Sequence, residues 1–419
     1  MAALRTTRYR LSQSMRRPCL PFLALGPYDI PRCQQRTFSA TLPQLKQRST
    51  PASYWRGGTS RAVLFQKKDL PTDDAIRRKL FLQVIGSPDP NGRQLDGLGA
   101  GISSLSKICI VSPSDHPNAD VDYTFVGIGI ENDEVDLAGN CGNMSAAIGP
   151  FAFNQRLLPS VKCETDTSAT VRILNTNTGA IIHSTFPTTD GEASSTGDYA
   201  LDGVAGTAAQ VNLDFLRPAG SKTGRLLPTG NVMDKLAGFE VSFIDAAGPM
   251  IFIRASDLAI DPAILPNDFN KQAEKLKQLE KIRHQGAVAM GMCKPGDVPP
   301  RVTPKVAIVS PSVTQVSLSG KKMEAEMLDL VVRFISDTQP HRAIPLTGAL
   351  CTAVAAKVEG SVVQQCLERE PVTEGMVTIG HPSGKIEVNA QMDGKGDVEC
   401  ATVFRTARRI MEGEVFWND

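Results

Sequence analysis

No stretch of this chain reaches the roughly 18–20 consecutive apolar residues of a membrane-spanning helix, so no spanning helix and no membrane partner are expected. Aromatic residues make up only 5% of it, too few for a platform on which nucleic-acid bases stack. Net charge is almost absent. The 45 Lys and Arg stand against 44 Asp and Glu, which gives neither nucleic acid nor a membrane surface a whole-chain attraction. The 9 cysteines include no C-x-x-C pair and the 5 histidines no H-E-x-x-H, so no metal site is expected. A P-loop and a G-x-S-x-G are missing too. Asp96-Gly97-Leu98-Gly99-Ala100-Gly101 is glycine-rich without being the dinucleotide fingerprint.

What is present is 419 residues, 41% of them hydrophobic, enough for two domains with cores of their own. The first fifty differ from the rest. Arg5, Arg8, Arg10, Arg16, Arg17, Arg32 and Arg36 face a single acid, Asp29, among many Ser and Thr. That composition predicts a mitochondrial transit peptide over 1–50, cut near Ser39, and a mature protein in the mitochondrial matrix.

The remainder is written twice. Lys107-Ile108-Cys109-Ile110-Val111-Ser112-Pro113-Ser114 returns as Lys305-Val306-Ala307-Ile308-Val309-Ser310-Pro311-Ser312. Each copy reads as a short buried strand stopped by Ser-Pro-Ser. Gly58-Thr59-Ser60 stands upstream of one and Gly248-Pro249-Met250 upstream of the other. Helical patterns over 73–85 and 266–284 follow them. Downstream, strands over 123–130 and 328–335 lead to Asn140-Cys141-Gly142-Asn143 and to Leu346-Thr347-Gly348-Ala349. Helices over 144–157 and 349–358 come next. The shared order predicts an α+β chain of two similar domains, 51–215 and 216–419, made by internal duplication around a central inter-domain cleft.

The turns carry the chemistry. The first N–H groups of a helix lack partners and sit at its positive end, a ready carboxylate site. Gly142 and Gly348 let a ligand approach such an end closely. A thiol at a helix start, as at Cys141, has its thiolate stabilised. Lys107 becomes a usable base if desolvated near other cations. Arg56, ahead of Gly57-Gly58-Thr59-Ser60, offers a fork for a carboxylate. Taken singly, each has a plainer reading: an ordinary helix start, a core thiol, a solvated lysine, a tight turn.

Together these pieces resemble the 2-methylaconitate cis-trans isomerase (PrpF-like) family, whose two domains have the diaminopimelate epimerase fold. The matching motifs are Tyr54-Trp55-Arg56-Gly57-Gly58-Thr59-Ser60, Asp96-Gly97-Leu98-Gly99, Ser104-Leu105-Ser106-Lys107, Gly139-Asn140-Cys141-Gly142-Asn143, Leu227-Pro228-Thr229-Gly230-Asn231, Pro304-Lys305, Pro345-Leu346-Thr347-Gly348 and Gly380-His381-Pro382-Ser383-Gly384. The resemblance implies proton transfer between carbons of an aconitate-like acid without a cofactor. It implies Lys107 as the leading acid/base and Cys141 as a second acid/base or a substrate contact. With the turns, it gives a substrate-binding set of Arg56, Gly57, Gly58, Thr59, Ser60, Ser104, Asn140, Gly142, Asn143, Ser310, Thr347, Gly348, His381 and Ser383. Methylaconitate, aconitate, methylitaconate, oxalomesaconate and a secondary-metabolite alkyl acid are not separated by the motifs. The expected partner is a small polycarboxylate; a homodimer is allowed by the sequence and not required by it.

Two other classes were weighed. Racemases of this fold use two facing thiols, and Thr347 stands where the second would be, a hydroxyl too weak as a base. A non-catalytic carboxylate-binding protein would show no turnover when pure.

Overall fold

The structure is a computed structural model describing residues 47–137, 141–158, 167–300, 303–336, 338–367 and 370–418. Residues 1–46, which carry most of the import expectation, and Asn140 of the substrate-binding set lie outside the described residues.

The principal elements of the first half are β1 (Arg48–Gly57), β2 (Ser60–Gln66), α1 (Asp74–Ile85), β3 (Lys107–Pro113), β4 (Val121–Ile128), α2 (Gly142–Asn154), β5 (Ser168–Asn175), β6 (Ile181–Thr189) and β7 (Gln210–Leu216). Those of the second are β8 (Phe239–Asp245), β9 (Pro249–Arg254), α3 (Ala273–Ala289), β10 (Lys305–Pro311), β11 (Leu330–Ser336), α4 (Leu346–Lys357), β12 (Val377–His381), β13 (Gly384–Met392) and β14 (Val398–Trp417). The folded part begins ahead of residue 51, since Arg48, Ser49 and Thr50 already pair with Trp417, Phe416 and Val415.

Pairing follows one order in both halves. β1 runs antiparallel to β2, β2 parallel to β3, β3 antiparallel to β4, β4 parallel to β5, and β5 antiparallel to β6. β8 to β13 repeat those relations in turn. Each parallel pair needs a crossover, which α1 and α3 supply to the first pair and α2 and α4 to the second. β6 pairs with β7, β7 with β14, and β14 with β1, closing an eight-stranded ring around α2. β14 also pairs with β13, so the last strand belongs to both halves. The expected boundary between 215 and 216 falls one residue before the end of β7.

Local sequence accounts for the helices. Asp73 caps α1, its carboxylate accepting from Ile76 N at 2.9 Å, and Gly86 ends it at φ 84°. In α2, Gly142, Gly149 and Pro150 lower helix propensity. Packing outweighs that loss. Met144, Ile148, Phe151 and Phe153 are all buried, at roughly 1.5–3 kcal/mol for each large apolar side chain. Inward residues of both halves join α2 and α4 in one continuous cluster that includes Val111, Leu213, Ala307 and Val388. Outward residues pack elsewhere: Val63 and Ile108 on Leu80 and Val84 of α1, Ile253 and Ile308 on Leu279 and Ile282 of α3. Leu45–Asp419 form one compact unit.

Candidate active site

Strand alternation aims Lys107 inward, on the side of Cys109 and Val111, towards α2. Its side chain is buried; Nζ donates to the Ser103 carbonyl and lies 5.5 Å from the centre of the Phe125 ring. Cys141 is the N-cap of α2, and its carbonyl accepts from Met144 N at 3.0 Å. Its Sγ lies 3.7 Å from Ser60 Oγ. The Tyr123 hydroxyl donates to the Cys141 carbonyl at 3.4 Å, and Cys109 Sγ lies 3.9 Å from that hydroxyl. Burial, and then the neighbouring Cys141 thiol, push the Cys109 thiol up, while Lys107 opposes them. Burial holds the Tyr123 phenol well above its ordinary value. Cys109 and Tyr123 are therefore neutral fixtures beside Lys107 and Cys141.

The β1–β2 turn lies against the first turn of α2. A Cβ on Gly57 would meet Asn143 O at 2.7 Å, and one on Gly58, at φ 53°, would meet Asn143 Oδ1 at 2.4 Å. Asn143 Nδ2 donates to Thr59 Oγ1 at 3.3 Å. Arg56 was expected as a carboxylate fork. Its Nη1 donates instead to Gly58 O at 3.0 Å and to Thr406 O and Oγ1, both at 2.9 Å, pinning the turn to β14. Burial and the nearby Arg408 disfavour its charged form. It lines a cavity of about 320 Å³ with Tyr199 and Arg408.

The starts of the two helices meet: a Cβ on Gly142 would lie 2.5 Å from Leu346 Cδ2. Thr347 sits in the first turn of α4, and Gly348 is pressed on Phe334, 2.7 Å from where its Cβ would be. Thr347 also lines a cavity of about 650 Å³ with Arg172, His183, Arg217 and Lys222. That cavity is lined by neither Lys107 nor Cys141. Ser104 is half-buried in the turn before Lys107. Ser310 lies five positions along β10 from Lys305, about 17 Å away, apart from this group. His381 ends β12, its Nδ1 accepting from Ser383 N at 3.2 Å, while Ser383 Oγ donates to Arg342 O at 2.5 Å.

A group of basic side chains lies beyond that turn, of which sequence reasoning missed Arg405 and His341. Arg405 is 5% exposed; its Nε donates to Asn143 Oδ1 at 3.1 Å and its Nη1 to Phe404 O at 2.9 Å. Burial lowers it to about 10. Burial, then Arg405, Arg333 and His341, press His381 down to about 3. Burial and then Lys305 lower His341, and burial lowers Lys305. Among the described residues, none of Arg405, His381, His341 and Lys305 forms an ion pair with a carboxylate. The buried guanidinium of Arg405 is costly without a counter-ion, and an incoming anion offsets that cost while favouring the charged forms of its neighbours. The sequence signals for this group are the His-Pro-Ser-Gly motif at His381 and the Pro304-Lys305 motif that opens the second copy of the repeated strand. Among the described residues no three His, Cys, Asp or Glu side chains gather as for a metal, and no helix is long and apolar enough to cross a membrane.

Residues 47–418 match the family described as PrpF protein. A 3-methylitaconate isomerase of Eubacterium barkeri is 40% identical over 379 residues, 88% of this chain and 97% of that one. A 2-methyl-aconitate isomerase of Shewanella oneidensis is 40% identical over 390 residues, 89% and 97% of the two chains. A (4E)-oxalomesaconate Delta-isomerase of Novosphingobium is 34% identical over 368 residues, 88% and 97%. The crystal structure of a methylitaconate-delta-isomerase superposes with a TM-score of 0.80 at 38% identity, covering 89% of this chain and 96% of that one. These relatives correct the expected mitochondrial matrix location. They are bacterial proteins, from cells without that compartment, and an Arg-rich, acid-poor segment is a compositional signal that does not specify import. With a family match across nearly all the described residues and relatives at 40% identity, this chain is an isomerase belonging to the PrpF family.

Proposed function

We propose that this chain moves a carbon–carbon double bond within an unsaturated di- or tricarboxylic acid by proton transfer, without a cofactor. The observation that carries this reading is the joining of two groups by one hydrogen bond, Arg405 Nε to Asn143 Oδ1. On one side stand Lys107 and Cys141, on the other the basic side chains Arg405, His381, His341 and Lys305. The named activities of the relatives concern methylaconitate, methylitaconate and oxalomesaconate, all polycarboxylates with an allylic position.

The chemistry follows from the groups present. Lys107 as a free amine takes a proton from the carbon next to the double bond. The pair left behind delocalises into a carboxylate as a dienolate. Arg405 and the N–H groups at the start of α2 stabilise the charge that grows on its oxygens. Reprotonation at the far end of the allylic system completes the shift. Two similar halves of the diaminopimelate epimerase type, about 51–215 and 216–419 with β14 shared, would place both helix starts around the substrate. The repeated pairing order supports that reading. A two-thiol racemase is disfavoured because Thr347 begins α4 where Cys141 caps α2.

The test is a thermal-shift titration with trans-aconitate, cis-aconitate and itaconate, followed by proton NMR of each binder with pure protein and no additive. A rise in melting temperature and turnover of at least one acid are expected. No shift with any of them would overturn the reading.

A further inference from the structure

Resting on that reading, we propose that Lys305 is a second proton carrier, serving the end of the allylic system opposite to the one Lys107 serves. Lys305 opens the second copy of the repeated strand as Lys107 opens the first. The surroundings are copied as well. β3 runs parallel to β2 and antiparallel to β4, and β10 has the same relations to β9 and β11. Ala307 and Val309 face α4, so alternation turns Lys305 towards α4 as Lys107 is turned towards α2. The starts of those helices touch at Gly142 and Leu346. Each amine thus stands at the head of its strand, turned towards the helix of its own half, and the two helices meet at their starts.

The neighbours of Lys305 leave the role to the amine. Cys351 is fully buried, its thiol pushed up by burial and its Sγ held 3.5 Å from Ile244 O. His341 is lowered by burial and by Lys305 itself. The same burial lowers Lys305, favouring its free-amine form.

A double-bond shift needs one proton removed and one delivered two carbons away. In the forward direction Lys107 takes the allylic proton, the C–H pair enters the conjugated system, and Lys305 as an ammonium delivers a proton to the far carbon, whose new C–H bond uses the displaced pair. One amine gains a proton and the other loses one, so the sum balances. The reverse direction exchanges their roles, and solvent resets both.

The experiment separates half of the reaction from the whole. Lys305→Met and Lys305→Arg are incubated in D2O with an acid the wild type isomerises. Conversion and deuterium in recovered substrate are read by NMR. Conversion should fall ~10³-fold, in the range of a lost general acid/base, while label at the carbon served by Lys107 enters within about tenfold of the wild-type rate. Removing a buried unpaired amine favours folding of the Met variant. Should it fail to fold, Lys305→Arg keeps the charge, cannot release a proton at working pH, and gives the same readout. Conversion within tenfold of wild type overturns the proposal. So does parallel loss of conversion and exchange with weakened binding, since Lys305 would then only hold a carboxylate. A wild type inactive on every acid sinks the functional reading itself, a result distinct from either.

Discussion

Arg405 Nε donates to Asn143 Oδ1 at 3.1 Å across 262 residues of sequence, tying the last strand of the chain to the first turn of α2. The same Asn143 amide donates through Nδ2 to Thr59 Oγ1. One side chain thus fixes the β1–β2 turn, the helix start and a buried guanidinium relative to each other. The Cys141 thiol stands two residues from that junction.

Replacing Arg405 by Gln should weaken binding of trans-aconitate by roughly 10–100-fold, the range of a lost hydrogen bond to a charged group. Arg405→Lys should recover little, because an ammonium lacks the planar fork. Stability should change little or rise, since the arginine has no carboxylate partner to strand among the described residues. Calorimetric titration with thermal melts checks both halves. Unchanged affinity in Arg405→Gln would remove the arginine from the site.

His381 predicts an acid limit. Its folded value of about 3 lies below the ordinary 6.5, so between those values the unfolded chain binds more protons than the folded one. Stability is then full above about 6.5 and is lost as pH falls towards 3. At pH 4.5 the loss from this group is on the order of 2 kcal/mol. Urea unfolding at pH 7 and pH 4.5 should show a larger drop in wild type than in His381→Asn. A bound polycarboxylate should oppose the drop by stabilising the imidazolium. Equal drops in the two proteins would contradict the assignment.

Lys107, Cys141 and the duplicated strand were legible because each is written locally: a repeated octapeptide, a glycine beside a thiol, a helical pattern after a turn. Helix α4 was expected over 349–358 and spans Leu346–Lys357. What escaped reading depends on distant pairing. Arg405 looks like one residue of an alternating strand until β14 brings it to Asn143. Arg56 Nη1 donates to Thr406, 350 positions away, which no local motif announces. The group of basic side chains draws on β10, β12, β14 and the segment before α4, with no spacing rule to join them.

Gly58→Ala should cost both stability and activity. Gly58 holds φ 53°, and its new methyl would sit 2.4 Å from Asn143 Oδ1. The backbone term is about 1–2 kcal/mol for an L-residue in that region. The clash would turn the Asn143 amide away and break the bond to Arg405. Gly238→Ala is the matched control, with φ 89° and nothing within 4 Å of the added atom. It should lower the melting temperature and leave turnover intact. Equal turnover in the two variants would show that Asn143 need not be held.

Lys107 carries the sharpest prediction. A carbon acid beside ionised carboxylates is weak and needs a base held close and partly desolvated. Lys107 is buried at the start of β3, facing α2, with its amine over Phe125 and beside the Ser103 carbonyl. Lys107→Ala should abolish isomerisation and keep the fold, since what it removes is one ring contact and one hydrogen bond. Lys107→Arg should fail too, because it keeps the charge and stays protonated at any working pH. Cys141→Ser should be milder if the thiol only positions substrate, because the bond that starts α2 runs from Met144 N to the Cys141 carbonyl and survives the change. An effect as severe as that of Lys107→Ala would make the thiol a proton carrier. Solvent deuterium is the independent readout: wild-type substrate recovered from D2O should carry label at the allylic carbon, and Lys107→Ala substrate should not. Turnover of Lys107→Ala near wild type, with folding verified by circular dichroism, would transfer the role to Cys141.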